Sequence, residues 1–157
     1  MNLPGGQQAM LQSEAIPVQA PRKATVFLDA GVVMRLLRGE PNFLAGAAPG
    51  RFEFAINPVV LQELTLSLPE AGAFAKLKEL ADGVKMIPVD MDMTNRFVDR
   101  ARTLRDRSVH ANDLLIAGSA AGCDYFVTDD KALRAQFSDV KPKVLSLAEF
   151  REMLGEH

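Results

Sequence analysis

The chain has one cysteine, Cys123, in 157 residues. A single thiol excludes an internal disulfide and any cysteine-based zinc site. Cys123 is itself expected to be a small buried hydrophobe, not a nucleophile. Long apolar runs are missing too. No stretch approaches the roughly 18 residues of a membrane span, so no membrane association is expected. Residues 1–22 lack the charged start and continuous apolar core of a secretory signal, and a cytoplasmic location is the expectation. Positive charge is not in excess. A formal net charge of −2 argues against a broadly basic nucleic-acid binder. It leaves nucleic acid open, because a metal-binding carboxylate cluster carries its own negative charge that the ions offset. The two histidines are His110 and His157. With no Gly-rich phosphate loop and no G-x-S-x-G elbow, no other nucleophilic set competes with the acids described below.

What is present is a folded domain. Apolar residues make up 48% and charged residues 24%, the balance of a soluble globular chain. The length suits one domain, expected over 23–157. Residues 1–22 hold several prolines, glycines and glutamines without period. They read as a flexible tail, or as a partner-binding arm.

Along the chain, short apolar runs alternate with helical periods. Thr25–Leu28 reads as a buried strand ended by Asp29, and a helix follows with Val32, Val33, Leu36 and Leu37 on its core face. Asp29 is a helix cap or a ligand group. Phe52–Ile56 reads as the second strand, with Asn57 and Pro58 starting a helix. On that helix Glu63 lies about 120° from the centre of the apolar stripe, a position that solvation alone explains. Ala71–Leu80 predicts a further helical segment. Met86–Val89 predicts a strand whose Pro88 suits an edge. The next helix is expected to be capped by Asp92 or Thr94 and to run to about Arg107. On it Arg96, Arg100 and Arg107 fall within about 40° of one another. They form a phosphate-binding rim or a solvated face paired with Asp99 and Asp106.

The segment from Val109 to Leu133 is the most informative. Asn112 is the expected N-cap of an apolar, buried helix, with Asp113 in its first turn, where the dipole favours an anion. Asp124–Val127 forms a strand, followed by Thr128, Asp129 and Asp130. A last strand within Lys141–Leu147 and a last helix, capped by Ser146, complete the pattern. Alternating strands and helices imply an α/β fold with a mostly parallel sheet of about five strands and helices on both faces. Right-handed crossovers bring the strand ends, and with them Asp29, Asp129 and Asp130, to one edge. Acidic groups beside buried elements need compensation. Hard oxygen ligands suit Mg²⁺ or Mn²⁺.

Three segments carry a resemblance: VFLDAGVVMRLL at 26–37, INPVVLQEL at 56–64 and HANDLLIAGSAAGCDYFVTDDKAL at 110–133. With these the chain resembles the PIN-domain family, and within it the toxin-like (VapC-type) ribonucleases of toxin–antitoxin pairs. The resemblance implies a three-layer α/β/α sandwich. It implies an endoribonuclease that hydrolyses RNA phosphodiesters by metal-activated water, using one or two Mg²⁺ or Mn²⁺ ions. It implies catalytic and metal-holding roles for Asp29, Glu63, Asp113 and Asp130, with Thr128 as a supporting hydroxyl. Asp129 stands where the family often has a basic residue, so either Asp129 or Asp130 is the fourth ligand. Arg35, Arg96 and Arg100 are the candidates for phosphate contact. An RNA substrate, a small antitoxin and a homodimer are the implied partners. The alternatives are a non-catalytic PIN-like module binding RNA or protein, and other phosphoryl chemistry on a similar sheet. The absence of a D-x-D after the first strand counts against the latter.

Overall fold

Five short strands, the central ones rich in Val, Phe, Leu and Ile, form a sheet in the computed structural model. It describes residues 22–40, 43–46, 50–68, 75, 77–79, 82–105, 107–137 and 141–155. The strands are β1 (Ala24–Leu28), β2 (Phe52–Ile56), β3 (Lys85–Met86), β4 (Tyr125–Val127) and β5 (Lys143–Leu145). They pair in the order β3-β2-β1-β4-β5, parallel throughout. Both faces of a parallel sheet are covered, which is why the strands read as continuous apolar runs.

The helices are α1 (Ala30–Gly39), α2 (Phe43–Gly46), α3 (Pro58–Ser67), α4 (Met91–Leu104), α5 (Ala111–Ala120), α6 (Lys131–Arg134) and α7 (Leu147–Met153). Register sorts the aromatic rings into two layers. Val26, Phe54 and Tyr125 share one side of the sheet. There Phe52 and Phe54 pack edge-on against Phe150 of α7, at 5.6 and 6.1 Å between ring centres. On the other side, Phe27 and Phe126 stack edge-on at 5.7 Å, and Phe126 meets Phe137, which meets Phe97 of α4. The result is the three-layer α/β/α sandwich.

The edge strand β3 is shorter than expected. Ile87 makes the last ladder bond, to the Ile56 carbonyl at 2.9 Å. Pro88 has no N–H to continue it. Helix α4 begins earlier than expected: Asp90 caps it, accepting from the Met93 N–H at 2.9 Å. It also ends earlier, at Leu104, and Arg105 turns the chain with φ +53°. The stripe of Arg96, Arg100 and Arg107 assumed a helix through residue 107, so Arg107 leaves it. Helix α5 is capped at His110, not Asn112. The caps at Asn57 and Ser146 fall as expected, accepting from Val60 and Glu149 at 3.0 Å each. Cys123 is buried, as expected.

Helices α4 and α5 cross closely at Gly118. A Cβ there would stand 2.3 Å from Thr94 Oγ1 and 3.0 Å from the Asp90 carbonyl oxygen. A buried polar link ties α3 to α5: the Asn57 side chain donates to Ser119 Oγ at 3.0 Å, and Ser119 donates to the Pro88 carbonyl at 3.0 Å. Of the tail expected over 1–22 only Arg22 is described, paired with Asp124 at 3.2 Å. The helix expected over 71–80 lies mostly outside the described residues, of which 77–79 are helical. No described helix is long and apolar enough to cross a membrane.

Candidate active site

Strand β1 runs between β2 and β4, so the chain leaves it in one direction and returns on its other side. Ligands of open parallel sheets gather at such a switch point, beyond the carboxyl ends of the strands. The ladder extends past both strand ends. Asp29 N–H donates to the Val127 carbonyl at 3.1 Å, and Thr128 N–H donates to the Leu145 carbonyl at 2.9 Å. This sets Asp29 beside Thr128. The fully buried Thr128 donates its hydroxyl to Asp29 Oδ2 at 2.7 Å and accepts from the Asp130 N–H at 3.1 Å. Asp29 Oδ1 accepts from the Ala30 N–H at 2.8 Å. Asp29 is therefore a helix cap and a member of the cleft at once.

A cleft of about 350 Å³ opens there. It is lined by the carboxylates of Asp29, Glu63, Asp113, Asp129 and Asp130 and by Arg35. All five expected acids meet in it, delivered by the ends of β1 and β4, by α3 and by the first turn of α5. Glu63 lies off the core face, where periodicity put it, but its carboxylate is held by the Asn112 side chain near Asp113. That is the role of Asn112 in place of capping. Asp113 Oδ2 accepts from the His110 N–H at 3.0 Å. Asp130 Oδ1 caps α6, accepting from the Leu133 N–H at 3.1 Å. Asp129 is engaged twice, with the Leu147 N–H at 3.1 Å and with Arg35 Nη1 at 2.7 Å. Neither Arg96 nor Arg100 lines the cleft. Arg96 is exposed on α4, and Arg100 donates to the Gln136 carbonyl at 2.9 Å.

Burial pushes the Asp29 carboxyl up to about 6, against the opposing bonds from Thr128 and Ala30, and the charges of Glu63 and Asp130 push the same way. Burial and the charge of Asp113 also raise Glu63, opposed by Asn112. Five carboxylates line the cleft against the one guanidinium of Arg35, and a like-charged cluster with oxygen-only donors fits a hard divalent cation. Among the described residues, no three His, Cys, Asp or Glu side chains already stand grouped to hold a metal ion. Each carboxylate instead keeps a local backbone or side-chain bond, and oxygen lone pairs remain for a ligand.

The PIN domain profile matches residues 26–137, most of the described chain. The chain belongs to the PIN-domain family. No curated protein sequence matches it. Among solved structures it is similar to VapBC-5, a member of the VapBC toxin–antitoxin systems from Mycobacterium tuberculosis. The identity is 24% over 79% of this chain and 99% of that one, with a TM-score of 0.57. It is similar to DNA-bound VapBC from Salmonella typhimurium, at 16% identity over 78% and 96%, with a TM-score of 0.59. It is also similar to VapBC2 from Rickettsia felis bound to promoter DNA, at 18% over 77% and 96%, with a TM-score of 0.57. At these identities the likeness is one of PIN fold.

Two features of the site gave no signal in sequence. Asn112 as the partner of Glu63 joins residues 49 apart in the chain. The Arg35–Asp129 pair joins residues 94 apart.

Proposed function

We propose that this PIN-domain protein is an endoribonuclease dependent on Mg²⁺ or Mn²⁺. The observation that carries the reading is the meeting of Asp29, Glu63, Asp113 and Asp130, from four separate elements, in one cleft with a cation at its rim. Membership of the PIN family supports nuclease chemistry. Asp29, Glu63, Asp113 and Asp130 are the residues that would hold one or two ions. Asp129 is occupied by Arg35 and Leu147, so its part is to position Arg35. A divalent cation bound in such a site supplies Lewis acidity and neutralises charge in an in-line displacement at phosphorus.

The protein's own groups do the rest. Thr128 orients the Asp29 carboxylate and favours its ionised form. Asn112 orients Glu63 towards Asp113. Arg35 receives a phosphate oxygen of the RNA strand at the mouth of the cleft. The test is cleavage of a mixed set of labelled RNAs with Mg²⁺, Mn²⁺ or EDTA, by wild type and by Asp29→Asn and Asp113→Asn. Cation-dependent cutting lost in both variants is expected. A wild type that binds RNA, never cuts it and takes up no Mn²⁺ by calorimetry would instead be a non-catalytic module.

The solved VapBC relatives are toxin–antitoxin complexes. For this chain we propose the toxin's part: a cytoplasmic homodimer whose acidic cleft a small antitoxin covers with an Arg or Lys. Growth arrest on expression, relieved by a neighbouring gene product, is expected. Harmless overexpression of an RNA-cleaving protein would remove the toxin assignment.

A further inference from the structure

Beside the acidic cleft is a second depression, of about 340 Å³, with the opposite charge. Its floor is Val98, Ala101 and Leu114, and its rim is Arg102, Arg105 and Arg107. All three arginines are exposed. None of them has an ion-pair or side-chain hydrogen-bond partner among the described residues. This differs from Arg35, Arg100, Arg134 and Arg151, whose guanidiniums are all engaged. Three cations with no partner among the described residues therefore gather on a chain whose net charge is −2.

The two depressions share the head of α5. Asp113 lines the acidic one and Leu114 the basic one. Successive helix residues point about 100° apart, so the sites flank the helix head on adjacent sides. Helix α4, which carries Arg102 and leads into Arg105, crosses α5 closely at Gly118. The arginines therefore lie on the helix pair that carries Asp113.

We propose that this groove binds the single-stranded RNA that continues out of the cleft, its phosphates on the arginine rim and a base on the apolar floor. The proposal rests on the ribonuclease reading above. An apolar floor under a cationic rim matches how single strands are held without base-specific readout. An acidic peptide would satisfy the rim, but its chain would have no reason to run on into a cleft of carboxylates. A polyphosphate strand that continues to Arg35 and a bound cation does.

The experiment compares wild type with Arg102→Gln/Arg105→Gln/Arg107→Gln and with the triple Lys variant. Binding of labelled single-stranded RNA is followed by anisotropy across salt concentration, with EDTA present so that the strand is not cut. The triple Gln variant should bind about tenfold or more weakly, and its salt slope should fall by about 2, three contacts at roughly 0.7 each. The triple Lys variant should keep the slope. Thermal midpoints and cleavage of a trinucleotide confined to the cleft should not change. Equal affinity and slope in wild type and the Gln variant would overturn the groove while leaving the nuclease standing. A wild type that neither binds nor cuts RNA would overturn both. Loss of polyglutamate binding with RNA binding intact would assign the groove to an acidic protein and overturn the proposal.

Discussion

The head of α5 divides two surfaces that were built in different ways. On one side five carboxylates arrive from β1, α3, α5 and the end of β4, elements spread over a hundred residues of sequence. They are half-buried or locally bonded, and Arg35 offsets only part of their charge. On the other side three arginines come from the end of one helix and the turn after it. They are exposed, so water solvates them at little cost. The acids depend on the fold being correct everywhere, and burial of Asp29 and Glu63 works against it. The arginines need only the end of α4. A site that concentrates charge in a partly buried place holds energy that a cation can release; a solvated rim holds almost none.

Substitutions can break that comparison. The largest effect is expected on cleavage. Asp113→Asn or Asp29→Asn should lower it by about 10²–10³-fold, the scale of removing one preorganised charge-stabilising group. The arginine variants should lower it only through RNA binding, which a KM-against-kcat comparison reads. A kcat loss of equal size on both sides would erase the distinction.

Next is the cost of the acids in the metal-free protein. The Asp29 carboxyl sits at about 6 in the folded chain against 3.8 as its ordinary value. Between those values the unfolded chain binds fewer protons than the folded one. Stability should therefore fall as pH rises from about 4 to about 7, by up to roughly 3 kcal/mol. Asp29→Asn, which can still cap α1, should remove that part of the slope. Denaturant unfolding in EDTA at several pH values checks it, and identical slopes would show that Asp29 carries no such cost.

A smaller effect tests the close join between the two sides. Gly118→Ala places a methyl 2.3 Å from Thr94 Oγ1 and 3.0 Å from backbone atoms of Asp90 and Thr94. Overpacking of this kind costs about 2 kcal/mol, or roughly 4–8 °C in Tm for a chain of this size. Calorimetry reads it, and an unchanged Tm would mean the helices slide apart freely. The smallest effect belongs to Asp129→Ala. Its pair with Arg35 is solvent-exposed, so stability should change by about 0.5 kcal/mol. Without Asp129 to position it, Arg35 should hold RNA about twofold less tightly. A large stability loss would instead give the main role to the bond from Leu147.

Much of this was legible along the chain because it is local. The strands β1 and β2 were readable from runs of four or five mostly apolar residues, β4 and β5 from two or three. Asp29 was placed by the strand before it and the helix after it. Asn57, Pro58 and Ser146 announced their helices by cap chemistry. Errors arose where two local signals competed. Asp90, Asp92 and Thr94 can all cap α4, and the Thr94 hydroxyl instead bonds back to the Asp90 carbonyl. Arg107 was put on a helical stripe because nothing in the side chains at 104–106 marks an end. Arg105 adopts a left-handed turn that glycine more often supplies. Glu63 shows the limit most clearly. Periodicity gave its angle on α3, and that angle is compatible with open water or with a cleft.

The sequence by itself marked most of the strands and helices, the parallel class of the sheet and the acids at element ends, Asp29, Asp113, Asp129 and Asp130, because hydrophobic period and capping act over a few residues. Only the tertiary structure decided that β1 lies between β2 and β4, that Glu63 faces Asp113, and that Asp129 holds Arg35. It also decided that the arginines of α4 open beside the cleft and not into it. Those outcomes depend on contacts between residues tens of positions apart, and no local pattern of side chains encodes the distance between them.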